Sequence, residues 1–541
     1  MSRLFRFCAI LAVTSWAVRA EGWACVNCQD VPAAIQAVFE KPLYKDAVWG
    51  LQVIDLDTQE HLIDLEPHRQ FFIGSVRKIF SVGELLNEVG PPHRYNTPVY
   101  RRGSIDNKGV LHGDLILVAS GDLTMNGRTN PDGSIAISDY DHNEANSPVL
   151  GNAVLTKPDP LAGYEELALQ IARLGIKEIT GDVIIDDRLF QPFDFREEFN
   201  VKPIFVNDDV VDLQIQPTTV GNLASVASRP VSAALGVENR LVTSGPASDF
   251  TLRILPELPA CIGEPVCNSA VTGQIPSDFV PPLTKQYPLV QTVRVVEPSN
   301  YARSVWIEEL KKFNIRVDAP ITAENPVKLL PPKDSYSPWL KVAELKGLPY
   351  SDDAKLVLKV SYNIGADTSL VLFGLTQGVD SLNDALKVEH RHLATRYGIP
   401  ESEFHFVDGS GGGETTATNR AVTHFLSKMS QSPAFPSFFD ALPILGVDGS
   451  LAFVKDFESD PDSMLAGAKG QVRAKTGTYL VGAESGFLLK GQAFGGYIMS
   501  RSGRRLVYQL VVNNVTISGL NDVLQVFQDE GRISAILWRD N

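Results

Sequence analysis

Gly74-Ser75-Val76-Arg77-Lys78-Ile79-Phe80-Ser81-Val82-Gly83-Glu84-Leu85-Leu86-Asn87-Glu88-Val89-Gly90 is the stretch on which the reading of this chain turns. Ile79, Phe80, Val82, Leu85, Leu86 and Val89 recur at helical spacing, which predicts an amphipathic helix started at Ser75 and stopped by Gly90-Pro91-Pro92. Positions i and i+3 share a helix face, so Lys78 can extend toward the Ser75 hydroxyl. A serine hydroxyl is a weak nucleophile until a base stands beside it. A lysine can serve as that base only where burial or a second cation lowers its pKa. At a helix start, the dipole also favours negative charge developing on Ser75. Alone the pattern is weak, because an N-cap serine followed by a surface lysine reads the same way.

Two further clusters lie downstream. Ser361-Tyr362-Asn363 follows an apolar segment, residues 356–360, that reads as strand or helix. Lys475-Thr476-Gly477 enters the strand-rich end of the chain. On an edge strand it offers a cation, a hydroxyl and a side-chain-free residue where a ligand can lie against the backbone. Strands are predicted at residues 486–490, 495–499 and 506–513, and helical patterns at 520–527 and 532–538. The beginning of the chain supplies a helical pattern at 32–39 and a hairpin of strands at 47–55 and 61–65. An antiparallel sheet with helices drawn from both chain ends fits this order better than alternating βαβ units.

Between these ends lies a long middle. Strand-like segments at 113–119, 183–186 and 211–218 alternate with Pro/Gly/Asp-rich connections. Helical patterns at 164–174 and 301–313 are each followed by a short strand, which suggests two segments of one lobe split by an insertion. Residues 126–148 read as a solvated loop. Asp139-x-Asp141-x-Asn143 begins like a calcium loop but lacks its glycine and its closing glutamate.

Ser-x-x-Lys, Ser-x-Asn and Lys-Thr-Gly in this order form a signature of penicillin-interacting serine enzymes. The chain resembles the class C low-molecular-mass penicillin-binding proteins, D-alanyl-D-alanine carboxypeptidases and endopeptidases of peptidoglycan. Besides the three motifs, the resemblance rests on Gly113-Asp114-Leu115 with Gly121-Asp122, Gly181-Asp182-Val183-Ile184-Ile185-Asp186, Asp408-Gly409-Ser410-Gly411, and Leu442-Pro443 with Gly446-Val447-Asp448-Gly449. It implies a multi-domain α/β (α+β) chain with the penicillin-binding, serine β-lactamase-like transpeptidase fold: an antiparallel sheet flanked by helices, with large inserted β-rich domains. The implied division is a signal peptide at 1–20, a catalytic domain at 21–92 and 334–541, an inserted domain at 93–192 and 298–333, and a third nested at 193–297. A β-lactamase of the same fold would have a much shorter gap between the first two motifs.

The resemblance also implies roles. Ser75 attacks the penultimate D-alanine carbonyl with Lys78 as base, and Ser361 passes the proton to the leaving amine. Asn363 holds the substrate amide and Lys78, while Lys475 binds the terminal carboxylate beside Thr476 and Gly477. The backbone N–H groups of Ser75 and Thr478 form the oxyanion hole, where such donors are worth roughly 10²–10³ in rate. Asp186 matches an aspartate that binds an aminated side chain of the peptide stem; read alone, it is a turn aspartate beside Asp187. No metal or other cofactor is implied. The partners implied are peptidoglycan peptide stems and β-lactam antibiotics. One departure stands out: relatives often carry an arginine after Asp-Gly-Ser-Gly, where this chain has Gly412-Gly413-Glu414. Two other readings remain at this point, a β-lactamase or esterase on the same fold, and a non-catalytic cell-wall binding protein.

Composition bounds these readings. The 541 residues are 44% hydrophobic and 21% charged, enough to bury a large core. A net charge of -15 argues against a nucleic-acid partner. Arg3 and Arg6, the apolar run 7–18 and Val18-Arg19-Ala20 predict an export signal, its apolar run too short for a membrane span. The mature protein is expected outside the cytoplasmic membrane, in the periplasm or its equivalent. Cys8 would leave with the signal. Cys25, Cys28, Cys261 and Cys267 then form an even set suited to disulfides in an oxidising compartment, two local pairs being the simplest of three connectivities. No Gly-x-Ser-x-Gly elbow or His-Glu-x-x-His motif is present, and His390-x-His392 reads as exposed helix beside Glu389 and Arg391.

Overall fold

The computed structural model describes residues 31–142, 153–256, 261–483 and 486–541. The expected signal segment and Cys25 and Cys28 lie outside them. Both chain ends build one antiparallel sheet, ordered His61–Leu65, Val48–Asp55, Arg505–Ile517, Gly486–Met499 and Val472–Ala483. Its strands are apolar on both faces, as a sheet covered on both sides requires. Leu506, Tyr508, Leu510 and Val512 join a core with Ile35 and Val38 of helix Ala33–Phe39 and Val526, Ile533 and Leu537 of helix Leu520–Asp540. The alternate residues Val507 and Val511 face a second core with Val422, Phe425 and the helix Lys78–Val89. Val472–Ala483, the strand holding Lys475, is the sheet's edge.

Several sequence expectations need correction here. Ser75 sits in a 3₁₀ turn, Gly74–Arg77, and the α-helix begins only at Lys78. That helix is not amphipathic: every residue from Lys78 to Leu86 is buried, polar ones included. Residues 486–490 and 495–499 belong to one strand, Gly486–Met499. The small and polar residues between them hid it, yet Gln492 is buried and pairs with Val512. The two C-terminal helical patterns are one helix, Leu520–Asp540. Gly531, which made the pattern look broken, is there for packing: a Cβ on it would lie 2.3 Å from Val454 Cγ1. The segment before Ser361 is helical, Tyr350–Lys359.

A second, six-stranded sheet carries the middle of the chain, with Val110–Val118 and Thr97–Ile105 at its centre. The two short strands that follow the related helices, Glu178–Ile179 and Arg316–Val317, lie side by side in parallel. The helices themselves, Ala162–Arg173 and Pro298–Lys312, share one core through Tyr164, Leu167, Tyr301 and Trp306. Between the two units come two three-stranded sheets, one centred on Val210–Gln216 and one on Asn268–Pro276. Cys261 and Cys267 are joined by a disulfide. The stretch at 126–148 is not a solvated loop over its described part: Arg128, Asp141 and His142 are buried in an ion-pair cluster.

Among the described residues, no helix is long and apolar enough to cross a membrane.

Candidate active site

The 3₁₀ turn carrying Ser75 is pressed against the edge strand carrying Lys475. A Cβ on Gly477 would lie 1.9 Å from the Ile73 carbonyl oxygen. The glycine is therefore needed for the chain's own close approach, not to clear space for a ligand as its place in Lys-Thr-Gly suggested. The helix that starts at Asn363 packs on the helix Lys78–Val89 and brings the second motif alongside.

Lys78 is fully buried, with its amine at the meeting point of three elements. Nζ lies 2.6 Å from Ser75 Oγ, 2.6 Å from Asn363 Oδ1 and 2.9 Å from the Ser410 carbonyl oxygen. An ammonium has three N–H donors, and these three acceptors match them. Lys475, also fully buried, donates to Ser361 Oγ at 2.9 Å and to its neighbour's carbonyl, Thr476 O, at 2.8 Å. Ser361 holds a left-handed backbone, φ 64°, a conformation uncommon for a residue with a Cβ and concentrated where function demands it. Thr476 Oγ1 and Ser450 Oγ are 2.7 Å apart, and Thr478 Oγ1 donates to Gln492 Oε1 at 2.7 Å. All three motifs thus converge on one cleft, lined by Ser75, Ser361, Thr476 and Thr478.

The Asp408-Gly409-Ser410-Gly411 loop lies behind Lys78, on the side away from the cleft lining. Asp408 accepts the backbone N–H groups of Ser410, Gly411 and Gly412, which fixes the Ser410 carbonyl that accepts from Lys78. Beneath it Asp367 is pushed up to about 8, by burial first and by Asp408 second. Arg77, enclosed between Ser75 and Lys78 in sequence, donates to the Asp408 carbonyl at 2.9 Å and pairs with Glu389 at 2.5 Å. Glu389 is fully buried, and His392 Nδ1 lies 2.5 Å from Glu84 Oε1. The helix carrying His390 and His392 is thus not the exposed element its charges suggested: it braces the Ser75 turn from below.

Asp186 is not among the residues lining the cleft, and both its oxygens are engaged: Arg188 binds them at 2.7 Å each and the Tyr336 hydroxyl donates at 2.5 Å. At the position of the sequence departure, Glu414 faces Lys490 at 3.3 Å, and Lys490 lies over the Phe72 ring. A cation does reach this loop from another element: Arg196 Nη2 is 3.3 Å from Ser410 Oγ.

Sequence reasoning missed the remaining cleft wall. Lys359 lines it, bonded to Asp448 at 2.6 Å, with burial drawing its pKa down. Asp139, Tyr140, Asp141, Leu283, Ser450, Phe453, Leu524 and Phe527 complete it. Lys359 stands two residues before Ser361 and could have been found from that spacing; the others carry no local signal. Asp141, His142 and Asp208 could in principle hold a metal ion. Arg128 already stands among them, bonded to both oxygens of Asp141 and to Asp208. A cation is thus already supplied by the chain.

A two-ended antiparallel sheet with a serine–lysine pair, a Ser-x-Asn turn and a Lys-Thr-Gly edge strand defines a penicillin-binding-type serine peptidase. Residues 31–527 match the D-Ala-D-Ala carboxypeptidase 3 (S13) family, and the chain belongs to it. It is a serine D-Ala-D-Ala peptidase of that family, a hydrolase. The chain is 24% identical over 486 residues to the D-alanyl-D-alanine carboxypeptidase of Actinomadura sp. (strain R39), covering 84% of this chain and 77% of the relative. In fold it is similar to penicillin binding protein 4 (dacB) from Haemophilus influenzae, with TM-score 0.64 and 15% identity, over 93% of this chain and 99% of the other. The same protein complexed with a β-lactam gives TM-score 0.63 at 16% identity, with the same coverage.

Proposed function

We propose that this serine peptidase acts through an acyl-enzyme on Ser75, with Lys78 as base, Ser361 and Asn363 as proton relay and substrate holder, and Lys475 as carboxylate anchor. The observation that carries the reading is the position of Lys78 Nζ, 2.6 Å from both Ser75 Oγ and Asn363 Oδ1. Two of its partners, Asn363 Oδ1 and the Ser410 carbonyl, can only accept. When the amine is neutral, its two hydrogens stay on them and its lone pair turns to the Ser75 hydroxyl. Ser75 Oγ then attacks the penultimate D-alanine carbonyl as its proton moves to Lys78. The oxyanion is met by the backbone N–H groups of Ser75 and Thr478. Ser361, 2.9 Å from Lys475, forwards the proton to the departing nitrogen. Lys475 and Thr476 receive the terminal carboxylate, and water then hydrolyses the ester. Gly477 shapes the approach of the Ser75 turn to this strand.

A β-lactam presents a strained amide and a carboxylate to the same groups, and the β-lactam complex of the Haemophilus protein supports its capture here. Peptidoglycan stems ending in D-Ala-D-Ala are the substrate class, which supports export through the N-terminal segment. The catalytic domain is assigned to residues 21–92 and 334–541, the inserted domain to 93–192 and 298–333, and the nested one to 193–297, except that strand Lys341–Leu345, which pairs with Thr97–Ile105, goes with the inserted domain. Incubation with penicillin followed by peptide mapping tests the chemistry. One adduct per chain on Ser75, lost in Ser75→Ala without change in thermal unfolding, is expected. An adduct on Ser361 or Ser410 would overturn the assignment.

A further inference from the structure

The segment Asp139-Tyr140-Asp141-His142 stands on the wall of the cleft but belongs to none of the three motifs. Asp139, Tyr140 and Asp141 line the cleft together with Ser75, Ser361 and Thr476. Two sets of bonds hold the segment there. Toward the cleft, Asp139 Oδ1 accepts the Gly449 N–H at 2.9 Å, and the next residue, Ser450, bonds Thr476 at 2.7 Å. The segment is thereby tied to the strand that carries Lys475. Away from the cleft, Arg128 binds the Asp141 oxygens at 2.8 and 2.9 Å and pairs with Asp208, while His142 lies 2.7 Å from Asp212 and 3.0 Å from Asp208. All five of these side chains are buried. A buried network whose polar groups are paired fixes Asp141 and His142, and the Asp139–Gly449 bond ties the other end of the segment.

Which end of the cleft it walls follows from its neighbours. Lys359, Ser361 and Thr476 line the same space, on the side where Lys475 would take the terminal carboxylate. Gly412, Gly413 and Glu414, at the loop expected near the far end of the stem, do not line it. Leu283, Phe453, Leu524 and Phe527 add an apolar boundary to that space. The cleft there offers about 270 Å³ and opens to solvent on one side. That suits the single residue that ends a peptide, and a leaving group bearing a second stem must pass Tyr140 to fit there.

We propose that Tyr140, held by Asp139 and Asp141, is a specificity-determining residue that closes the leaving-group end of the cleft. The enzyme then releases a single D-amino acid from a stem and rejects cross-links, whose leaving group carries a second stem on its side chain. The inference rests on the Ser75 and Lys475 assignments above. Both reactions have the same balance: the Ser75 Oγ–acyl bond forms, the D-alanyl C–N bond breaks, and the proton of Ser75 ends on the departing nitrogen. Only the bulk of that departing amine differs.

The test compares kcat/KM of the full chain on a monomeric pentapeptide stem ending in D-Ala-D-Ala and on a cross-linked stem dimer, for wild type, Tyr140→Ala and Asp139→Ala/Tyr140→Ala. Wild type should favour the monomer by about tenfold or more, and each variant should raise the dimer-to-monomer ratio by about threefold or more. A smaller wild-type preference, or a smaller change in the ratio, overturns the proposal. The ratio is taken on one preparation, so partial unfolding of a variant cancels from it. Penicillin labelling of wild type runs in parallel. Failure to label Ser75 overturns the underlying assignment, and labelling with an unchanged ratio overturns only the role of Tyr140.

Discussion

Asp367 Oδ1 accepts the Gly409 N–H at 2.8 Å, while Lys78 donates to the carbonyl of the adjacent Ser410 at 2.9 Å. One buried acid thus sets the loop that sets the lysine. Its folded pKa of about 8 stands above the 3.8 of an ordinary aspartate. The folded state therefore binds more protons than the unfolded state between those values, and stability falls as pH rises from about 4 to about 8. Asp367→Asn keeps the acceptor for Gly409 and removes the titration. The difference in unfolding free energy between variant and wild type should be small at pH 4 and grow to a few kcal/mol in the variant's favour by pH 8. Denaturant titrations across pH check this; a difference that does not change with pH refutes it.

Lys78→Arg should retain a fold and lose acylation. A guanidinium stays protonated at any working pH and cannot accept the Ser75 proton. Second-order acylation by penicillin should drop by about 10³-fold or more, within the range expected when a positioned base is lost. A stopped-flow or gel-label rate near that of wild type removes Lys78 as the base.

Gly477→Ala places a methyl group 1.9 Å from the Ile73 carbonyl oxygen, so the Ser75 turn and the Lys475 strand must part. Displacements near 1 Å at a reacting centre cost on the order of 10² in rate. Acylation should fall by about that factor, and a crystal structure of the variant should show a longer separation between Ser75 and Thr478.

Arg128→Met leaves Asp141 and Asp208 buried beside His142 without their guanidinium. Removing one partner of a buried ion pair costs about 3–5 kcal/mol. Burial pulls His142 down, but Asp212, Asp208 and Asp141 push it up to about 10, so it stays charged near neutrality and offsets part of that loss. Arg128→Met/Asp208→Leu should recover some of the stability, measured by denaturant unfolding. Because an arginine supplies the cation there, a chelator should leave the melting temperature unchanged.

The parts of the site that could be read from the sequence are those where chemistry fixes local spacing. Ser75 and Lys78 sit one turn apart, and Lys475, Thr476 and Gly477 are consecutive. Tyr140 could not be read this way, because Asp139 meets Gly449 only once two distant parts of the chain are folded together. Glu389 misled for a related reason: its helix carries charges all round, yet Arg77 draws that acid into the interior. Gln492 and Gly531 broke hydrophobic patterns that packing then restored, through the Thr478 hydroxyl in one case and the Val454 side chain in the other. Asp186 matched a motif, but Arg188 and Tyr336, which occupy it, lie outside that motif.

The register that pairs Val48 with Asn513 and Asp55 with Leu506 has a consequence for biosynthesis. The first strand of the catalytic sheet emerges early and has no neighbour on that side until the last strand has been made. Such distant contacts carry a large loop-closure cost and fold late, whereas the hairpin of Val110–Val118 with Thr97–Ile105 can form at once. The inserted sheets are thus free to fold first, while Ser75 waits for Lys475 to be synthesised. If Ser75 is the nucleophile as proposed, a nascent or truncated chain carries it without the strand that completes its cleft and should stay inert until synthesis is all but finished.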